Sequence, residues 1–223
     1  MGYMLYLTFI VFVVVSVKQV FAHTHEHVHA HAASLQNIVA LPNLAINSVP
    51  VAVQEHWIRR AKAALTELVS PCSFSAFATV IVNHTSSTAG EIAAIQNCTA
   101  VLTDPHGPHK LTPSQAQAAF ADLSLYTNAE SCPMCASAIR WAGFREYVYG
   151  TSIETLILLG WAQIRIPSIE VFRQSFDLPH SARLMGGVLA NETDPLFSWQ
   201  FNPEFPCPAG CARQNGSTTC RPV

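Results

Sequence analysis

A pair of cysteines, Cys132 and Cys135, stands between a predicted strand and a predicted helix, and it constrains the fold more than any other stretch. Residues 125–128 are predicted to form a short strand. Pro133 suits the first turn of a helix, Gly143 suits its end, and an aromatic strand, REYVYG, follows. Strands that alternate with helices in this way predict an α/β sandwich with a largely parallel sheet.

The other elements are predicted from hydrophobic periodicity and turn residues. The predicted helices cover 54–69, 90–102, 115–123 and 151–161, and further predicted strands cover 74–82 and 163–172. A Thr-x-x-Glu capping box at Thr151 opens the last of these helices. Together the elements predict one domain at residues 54–202, in a chain long enough to bury a substantial core.

The N-terminus has the pattern of a secretory signal peptide. Residues 4–17 form an apolar run that is shorter than the roughly 20 residues needed to span a bilayer. A small-residue cleavage site ends at Ala22, so residues 1–22 are predicted to be removed and the protein to be secreted, without a membrane attachment. An uncleaved anchor and a cytosolic location are the alternatives. Four sequons, typical of secreted glycoproteins, begin at Asn83, Asn97, Asn191 and Asn215.

Residues 23–53 are predicted to form a loose leader that begins with alternating histidines. After cleavage the chain would begin with His23, Thr24 and His25. A free amine with a histidine at the third position is a chelate suited to Cu(II) or Ni(II). The alternative, which we favour because such tracts are often only compositional, is a solvated segment without a role.

Residues 203–223 are predicted to form a polar, loop-like tail that contains three of the seven cysteines. Such a tail is too polar to pack alone, so we expect a disulfide within it or from it to Cys72 or Cys98. The five cysteines other than Cys132 and Cys135 allow two disulfides and leave one thiol unpaired. Their connectivity does not follow from the sequence.

The charge of the chain argues against a nucleic-acid partner. The formal net charge is −2, only 12% of the residues are charged, and no segment carries a run of Lys and Arg. Proteins that bind nucleic acids carry such basic patches because they neutralise phosphates. A small or neutral partner is therefore predicted.

Three interpretations of Cys132 and Cys135 are open from these residues alone. A redox pair fits a Cys-x-x-Cys motif that follows a strand at a helix N-terminus, because that position lowers the pKa of a thiol. A disulfide fits a secreted chain. The third interpretation is half of a metal site, which needs a further ligand from elsewhere in the chain.

The upstream stretch TAGEIAAIQNC favours the metal site. Together with SCPMCASAIRWAGFREYVYG, about forty residues later, it is similar to zinc deaminases, which carry His-x-Glu on one helix and Pro-Cys-x-x-Cys on another. Over about residues 54–176 the chain resembles the cytidine deaminase-like superfamily. Within it, the resemblance is to the branch of nucleoside and guanine deaminases and tRNA adenosine deaminases.

The resemblance implies a three-layer α/β/α sandwich and the hydrolytic deamination of a nucleobase or nucleoside, with zinc as the cofactor. Cys132 and Cys135 match the two thiolate ligands of the metal, which activates a water. Glu91 matches the residue that passes a proton from this water to the ring nitrogen and the leaving amine. The same resemblance implies a small-molecule substrate and is compatible with a homodimer.

The chain departs from the family pattern at the third zinc ligand. The histidine that lies two residues before the glutamate in the family corresponds to Ala89 here. The segment between Val82 and Gly90 is also too short for the second strand of the family's sheet with its turns, since a strand alone needs about five or six residues. We therefore expect this edge strand to be lost, together with a substrate-contacting asparagine at its end.

Two explanations fit this gap: a loss during descent from a deaminase, or an omitted coding segment, which the intact surroundings favour. Among the remaining histidines, His84 is the first candidate for the third ligand, ahead of His106 and His109. All three are more simply explained as exposed loop residues, because zinc demands ligands in a tetrahedral array at roughly 2.0–2.1 Å. Two other functional classes stay open: a non-catalytic secreted protein that keeps the fold for binding, and a thiol redox protein.

Overall fold

The computed structural model describes residues 39–40, 44–65, 71–84, 88–91, 94–214, 217 and 219–223. These residues belong to one compact unit, Val39–Val223. The predicted signal peptide and the predicted copper ligands His23 and His25 lie outside the described residues, as does Asn215. Within the described part of the chain, no helix is both long and apolar enough to cross a membrane.

The described residues form a six-stranded mixed sheet with the strand order β1-β6-β5-β4-β2-β3. Neighbouring strands in the series β1, β6, β5 and β4 run parallel, whereas β2 is antiparallel to both β4 and β3. The strands are β1 Val39–Ala40, β2 Thr79–Asn83, β3 Thr88–Glu91, β4 Leu123–Ala129, β5 Glu146–Thr151 and β6 Arg183–Met185. A separate antiparallel hairpin, β7 Cys211–Arg213 and β8 Cys220–Pro222, lies in the C-terminal tail.

Helices connect these strands. They are α1 Val51–Ala64, α2 Ala94–Thr103, α3 Pro113–Ala119, α4 Pro133–Ala142, α5 Ile153–Leu158, α6 Ser168–Gln174 and α7 Ala190–Thr193. Short 3₁₀ turns at Phe120–Asp122 and Asp194–Phe197 follow α3 and α7.

Helices cover both faces of the sheet. Val80 and Ile81 are adjacent on β2, so their side chains point to opposite faces. Val80 packs in the cluster that contains Ile58 of α1, whereas Ile81 packs in the cluster that contains Ile139 of α4. This gives the three-layer arrangement that the resemblance implied. All seven residues of the central strand β4 are buried, because both of its faces are covered.

Two predicted strands differ from the structure. The strand predicted at 74–82 is β2, and it begins only at Thr79. Phe74 and Phe77 lie in the preceding loop, 46% and 42% exposed, with ring centroids 5.4 and 5.2 Å from that of Trp161. The segment predicted as a strand at 163–172 instead contains the start of α6, which begins after Pro167.

The start of α5 also differs from the predicted capping box. Its N-cap is Ser152, whose hydroxyl accepts a hydrogen bond from the N–H of Thr155 at 3.0 Å. Thr151, the predicted cap, is the last residue of β5. The helix ends at Leu158, three residues before the predicted Trp161.

The edge strand that we expected to be lost is present in short form. Thr88–Glu91 forms β3, which pairs with β2 so that Glu91 is opposite Val80 and Thr88 is opposite Asn83. The motif residues themselves therefore supply the strand, and α2 begins at Ala94 rather than at Gly90. The physical reason is that the outer edge of β2 would otherwise expose its backbone N–H and C=O groups, which a four-residue partner satisfies.

The tail is attached to the domain by a disulfide, as predicted. Cys72 is bonded to Cys211, and Cys207 is bonded to Cys220 within the tail. Of the five cysteines that were expected to give two disulfides and one free thiol, Cys98 is the free one. The sequence left open which pairs form. The structure contains one bridge within the tail and one from the tail to Cys72.

Candidate metal and catalytic site

Cys132 and Cys135 lie at the start of α4, directly beyond the carboxyl end of β4. Cys132 is the N-cap, with φ of −60° and ψ of 164°, and Pro133 is the first helical residue. Gly143 ends the helix at a φ of 84°, a left-handed conformation in which glycine is unstrained. The predicted helix ends are thus confirmed. Both thiols are free, with Cys132 half-buried and Cys135 exposed.

The two thiols are neighbours, because residues three apart on a first helical turn face the same way. Partial burial raises the pKa of the Cys135 thiol to about 11, and so do the hydrogen bond with Cys132 and the charge of Cys132. This shift concerns Cys135 alone, so both the redox and the metal interpretations of the pair stay open.

The far half of α4 is held in place by a buried arginine. The guanidinium of Arg140 donates to the hydroxyl of Ser175 at 2.9 Å, to the carbonyl of Ser175 at 2.7 Å and to the carbonyl of His180 at 2.7 Å. It also lies 5.4 Å from the ring centroid of Phe172 in α6. Burial lowers the pKa of Arg140. These contacts fix the cysteine-bearing helix against α6.

The chain between β4 and α4 is anchored by Glu130, which the sequence analysis did not single out. Its carboxyl group accepts hydrogen bonds from the N–H of Ile153 at 2.8 Å and from the N–H of Ser168 at 2.7 Å. The next residue, Ser131, donates its N–H to the hydroxyl of Tyr147 at 2.6 Å. The available signal was an acidic residue between the predicted strand and the cysteine pair.

Glu91 is the last residue of β3 and lies level with the middle of β4. It is opposite Val80, and Val80 is in turn opposite Tyr126, the middle residue of β4. With strands about 4.8 Å apart, the Cα atoms of Glu91 and Tyr126 are separated by roughly 10 Å. Although β3 and β4 run in the same direction, Cys132 is six residues beyond Tyr126, so the backbone of Glu91 is not level with the cysteines. The predicted helix at 90–102 is wrong at its start, because Glu91 belongs to a strand.

His84, the first candidate for the third ligand, lies near the amino-terminal end of β4, whereas the cysteines lie beyond its carboxyl end. It follows Asn83, which is opposite Leu123, the first residue of β4. A seven-residue strand is roughly 20 Å long, so the length of β4 separates His84 from Cys132. The His84 ring is 3.0 Å from the hydroxyl of Tyr126, and burial lowers its pKa. The structure therefore does not bring His84 to the cysteines.

The described side chains fit a zinc ion only in part. Cys132 and Cys135 are free, adjacent thiols, which is the donor chemistry that zinc favours. Among the described residues, however, no group of three or more His, Cys, Asp or Glu side chains comes together. His106 and His109 are exposed in the loop after α2. A catalytic zinc normally has three protein ligands, so the donor set found in the described residues is incomplete.

Three of the four predicted glycosylation sites can be located. Asn97 on α2 and Asn191 on α7 are exposed, whereas Asn83 at the end of β2 is half-buried. Asn97 and Asn191 are thus the more accessible acceptors in the folded protein.

Comparisons with known proteins confirm the resemblance to deaminases. No family model matches the chain. A probable cytosine deaminase of Schizosaccharomyces pombe is 50% identical over 36 residues, which are 16% of this chain and 22% of that protein. The chain thus aligns with about a fifth of the length of this curated relative.

Two solved structures of deaminases match parts of the chain with low scores. A guanine deaminase from Nitrosomonas europaea has a TM-score of 0.43 and 20% identity, over 69% of this chain and 84% of the other. A deaminase that edits adenosine 34 at the wobble position of transfer RNA has a TM-score of 0.36 and 16% identity, over 63% of this chain and 98% of the other.

Proposed function

We propose that this protein is a hydrolytic deaminase of a nucleobase or nucleoside. The observation that carries the proposal is a pair of free, neighbouring thiols, Cys132 and Cys135, at the start of a helix directly beyond the carboxyl end of β4, with Glu91 at the carboxyl end of β3. The match to a probable cytosine deaminase supports this reaction class. The low net charge without a basic run supports a small-molecule substrate rather than a nucleic acid.

The finer part of the proposal concerns zinc. Cys132 and Cys135 would bind the metal, which when bound supplies a Lewis acid and lowers the pKa of a coordinated water. Glu91 would act as the general acid and base. Since the described side chains supply two ligands and not three, we propose the activity for a protein whose ligand set is completed by a histidine directly before Gly90.

We also propose that the protein is secreted and glycosylated. The disulfides Cys72–Cys211 and Cys207–Cys220 support this, because disulfides form and persist in oxidising compartments. The exposed sequons at Asn97 and Asn191 support it as well. The incomplete donor set favours one alternative function, a non-catalytic secreted protein that binds nucleobases with the same fold.

A single preparation of the protein distinguishes the functional classes. Bound zinc with ammonia release from guanine, adenosine or cytidine supports the deaminase. Zinc or nucleobase binding without turnover supports the non-catalytic binding protein. Disulfide exchange by Cys132 and Cys135 in metal-free protein supports the redox protein.

We predict that Cys132 and Cys135 are not joined by a disulfide, even in protein from an oxidising compartment. A thiolate that is bound to a metal is withdrawn from exchange. The measurement is mass spectrometry of peptides from non-reduced, metal-replete protein, in which Cys72–Cys211 serves as the positive control for a disulfide. A bridge between Cys132 and Cys135 in this folded material would refute the zinc site.

We further predict that the natural transcript encodes additional residues between about His84 and Gly90, with a histidine directly before Gly90. The motivation is that only five residues separate these two positions, while Glu91, Cys132 and Cys135 all match the family pattern. Sequencing of full-length transcripts across this region is the measurement. Transcripts that all read straight through NHTSSTAGEIAAI would reject the prediction.

A further inference from the structure

Glu130, two residues before Cys132, is a buried carboxyl group with several hydrogen-bond donors around it. It is 5% exposed, and both oxygens of its carboxyl group are hydrogen-bonded. One accepts from the N–H of Ile153 at 2.8 Å, and the other accepts from the N–H and the hydroxyl of Ser168 at 2.7 and 2.5 Å. These donors are the first residues of α5 and α6, where helix N–H groups lack partners within their own helices.

The backbone on either side of this carboxyl group is also fixed. The N–H of Glu130 donates to the carbonyl of Thr151 at 2.7 Å, and the N–H of Ser131 donates to the Tyr147 hydroxyl at 2.6 Å. The carbonyl of Cys132 then accepts from the N–H of Ala136 at 2.8 Å, which closes the first turn of α4. Hydrogen bonds therefore connect Glu130 to β5 and to the first residues of α5 and α6. They also connect Ser131 to β5 and Cys132 to the first turn of α4.

We propose that Glu130 is a positioning residue for the thiol pair: it sets where Cys132 stands relative to Cys135 by tying the 130–132 backbone to the starts of α5 and α6. Glu130 acts through Cys132 and does not itself contact a substrate. Glu130 lies two residues before Cys132, so its hydrogen bonds restrict the backbone from which the Cys132 side chain projects. For metal binding, the inference rests on the proposed zinc site, whereas the geometry of the two thiols can be measured without metal.

The test compares the substitution Glu130→Gln with a control, Gln54→Leu. The first keeps the side-chain volume but places an NH₂ group against an N–H donor. The second replaces a buried amide of α1, a helix on the face of the sheet opposite to α4. This amide donates to the carbonyls of Leu44 and Val49 at 3.2 and 3.0 Å. Both variants are checked for folding by circular dichroism and for stability by urea unfolding.

The first measurement is the rate at which metal-free protein is captured by phenylarsine oxide, which bridges two thiols that stand close together. The second is Co(II) affinity, followed by the thiolate-to-cobalt absorption band. Loss of a partner that orients a metal ligand typically costs about 10–100-fold in affinity, so we expect Glu130→Gln to lower the Co(II) affinity in that range and to lower the capture rate as well. Gln54→Leu is expected to lose stability while both quantities stay at the wild-type value.

A folded Glu130→Gln protein with the wild-type capture rate would overturn the inference. If wild-type protein is captured by the arsenical but does not bind Co(II), the zinc proposal fails and the arsenical rates alone decide the role of Glu130. If Glu130→Gln does not fold, Ser168→Ala, which removes one of the three donors, takes its place. A capture rate lowered by a few fold in Ser168→Ala supports the inference, and an unchanged rate overturns it.

Discussion

The chain of 223 residues, produced as it stands, is expected to release little or no ammonia from guanine, adenosine or cytidine. The physical reason is the ligand count, because Cys132 and Cys135 are free thiols and no third His, Cys, Asp or Glu joins them among the described residues. Two thiolates do not make the three-ligand site of a catalytic zinc. The measurement is an ammonia assay with the zinc content determined on the same sample.

Activity is expected to return when a family-like segment, with a histidine directly before Gly90, is inserted between His84 and Gly90. In that restored protein, Glu91→Ala should lower the rate by about 10²–10⁴-fold, which is the usual contribution of general acid–base catalysis. The matched control is the same insertion with alanine in place of the histidine, which should restore neither zinc nor activity.

A second control tests whether a histidine alone is sufficient. Ala89→His places a histidine two residues before Glu91 without lengthening the chain. However, Ala89 lies inside β3, opposite Val82 of β2 and two residues before the carboxyl end of β3. That offset is roughly 6–7 Å, so we expect this substitution not to restore ammonia release. Strong turnover by the unaltered chain that Glu91→Ala abolishes would contradict the ligand count and would mean that another residue completes the site.

Removal of the disulfide Cys72–Cys211 is expected to destabilise the folded protein more than removal of Cys207–Cys220. The first bridge joins residues 139 apart in sequence and the second joins residues 13 apart. Loop-closure entropy in the unfolded chain then predicts losses of about 4–5 and about 3 kcal/mol in the free energy of unfolding. The measurement is urea unfolding, without reductant, of the variants in which both partners of one bridge are replaced by serine.

Cys98→Ala is the matched control for this comparison, because Cys98 is a free, half-buried cysteine. It is expected to lose much less stability than either double variant. Equal losses for the two double variants, or a smaller loss for Cys72 with Cys211, would show that chain entropy does not govern these bridges.

The sequence by itself determined the part of the site that depends on short-range rules. Pro133 and Gly143 set the ends of α4 because each acts on the backbone of its own helical turn. With Cys132 and Cys135 set aside, the other five cysteines allowed the two bridges that form. The strand predicted at 125–128 lies within β4, Leu123–Ala129.

Only the tertiary structure decided the features that depend on distant partners. Residues 88–91 became a strand because the open edge of β2 needs hydrogen-bond partners, a demand that no local pattern records. Similarly, Ser168 begins a helix whose first N–H is bonded to Glu130, 38 residues earlier in the chain. The distance of His84 from the cysteines follows from the direction of β2. The sequence identifies the candidate ligands and the helix ends, whereas strand pairing determines which candidate ligands come close to one another.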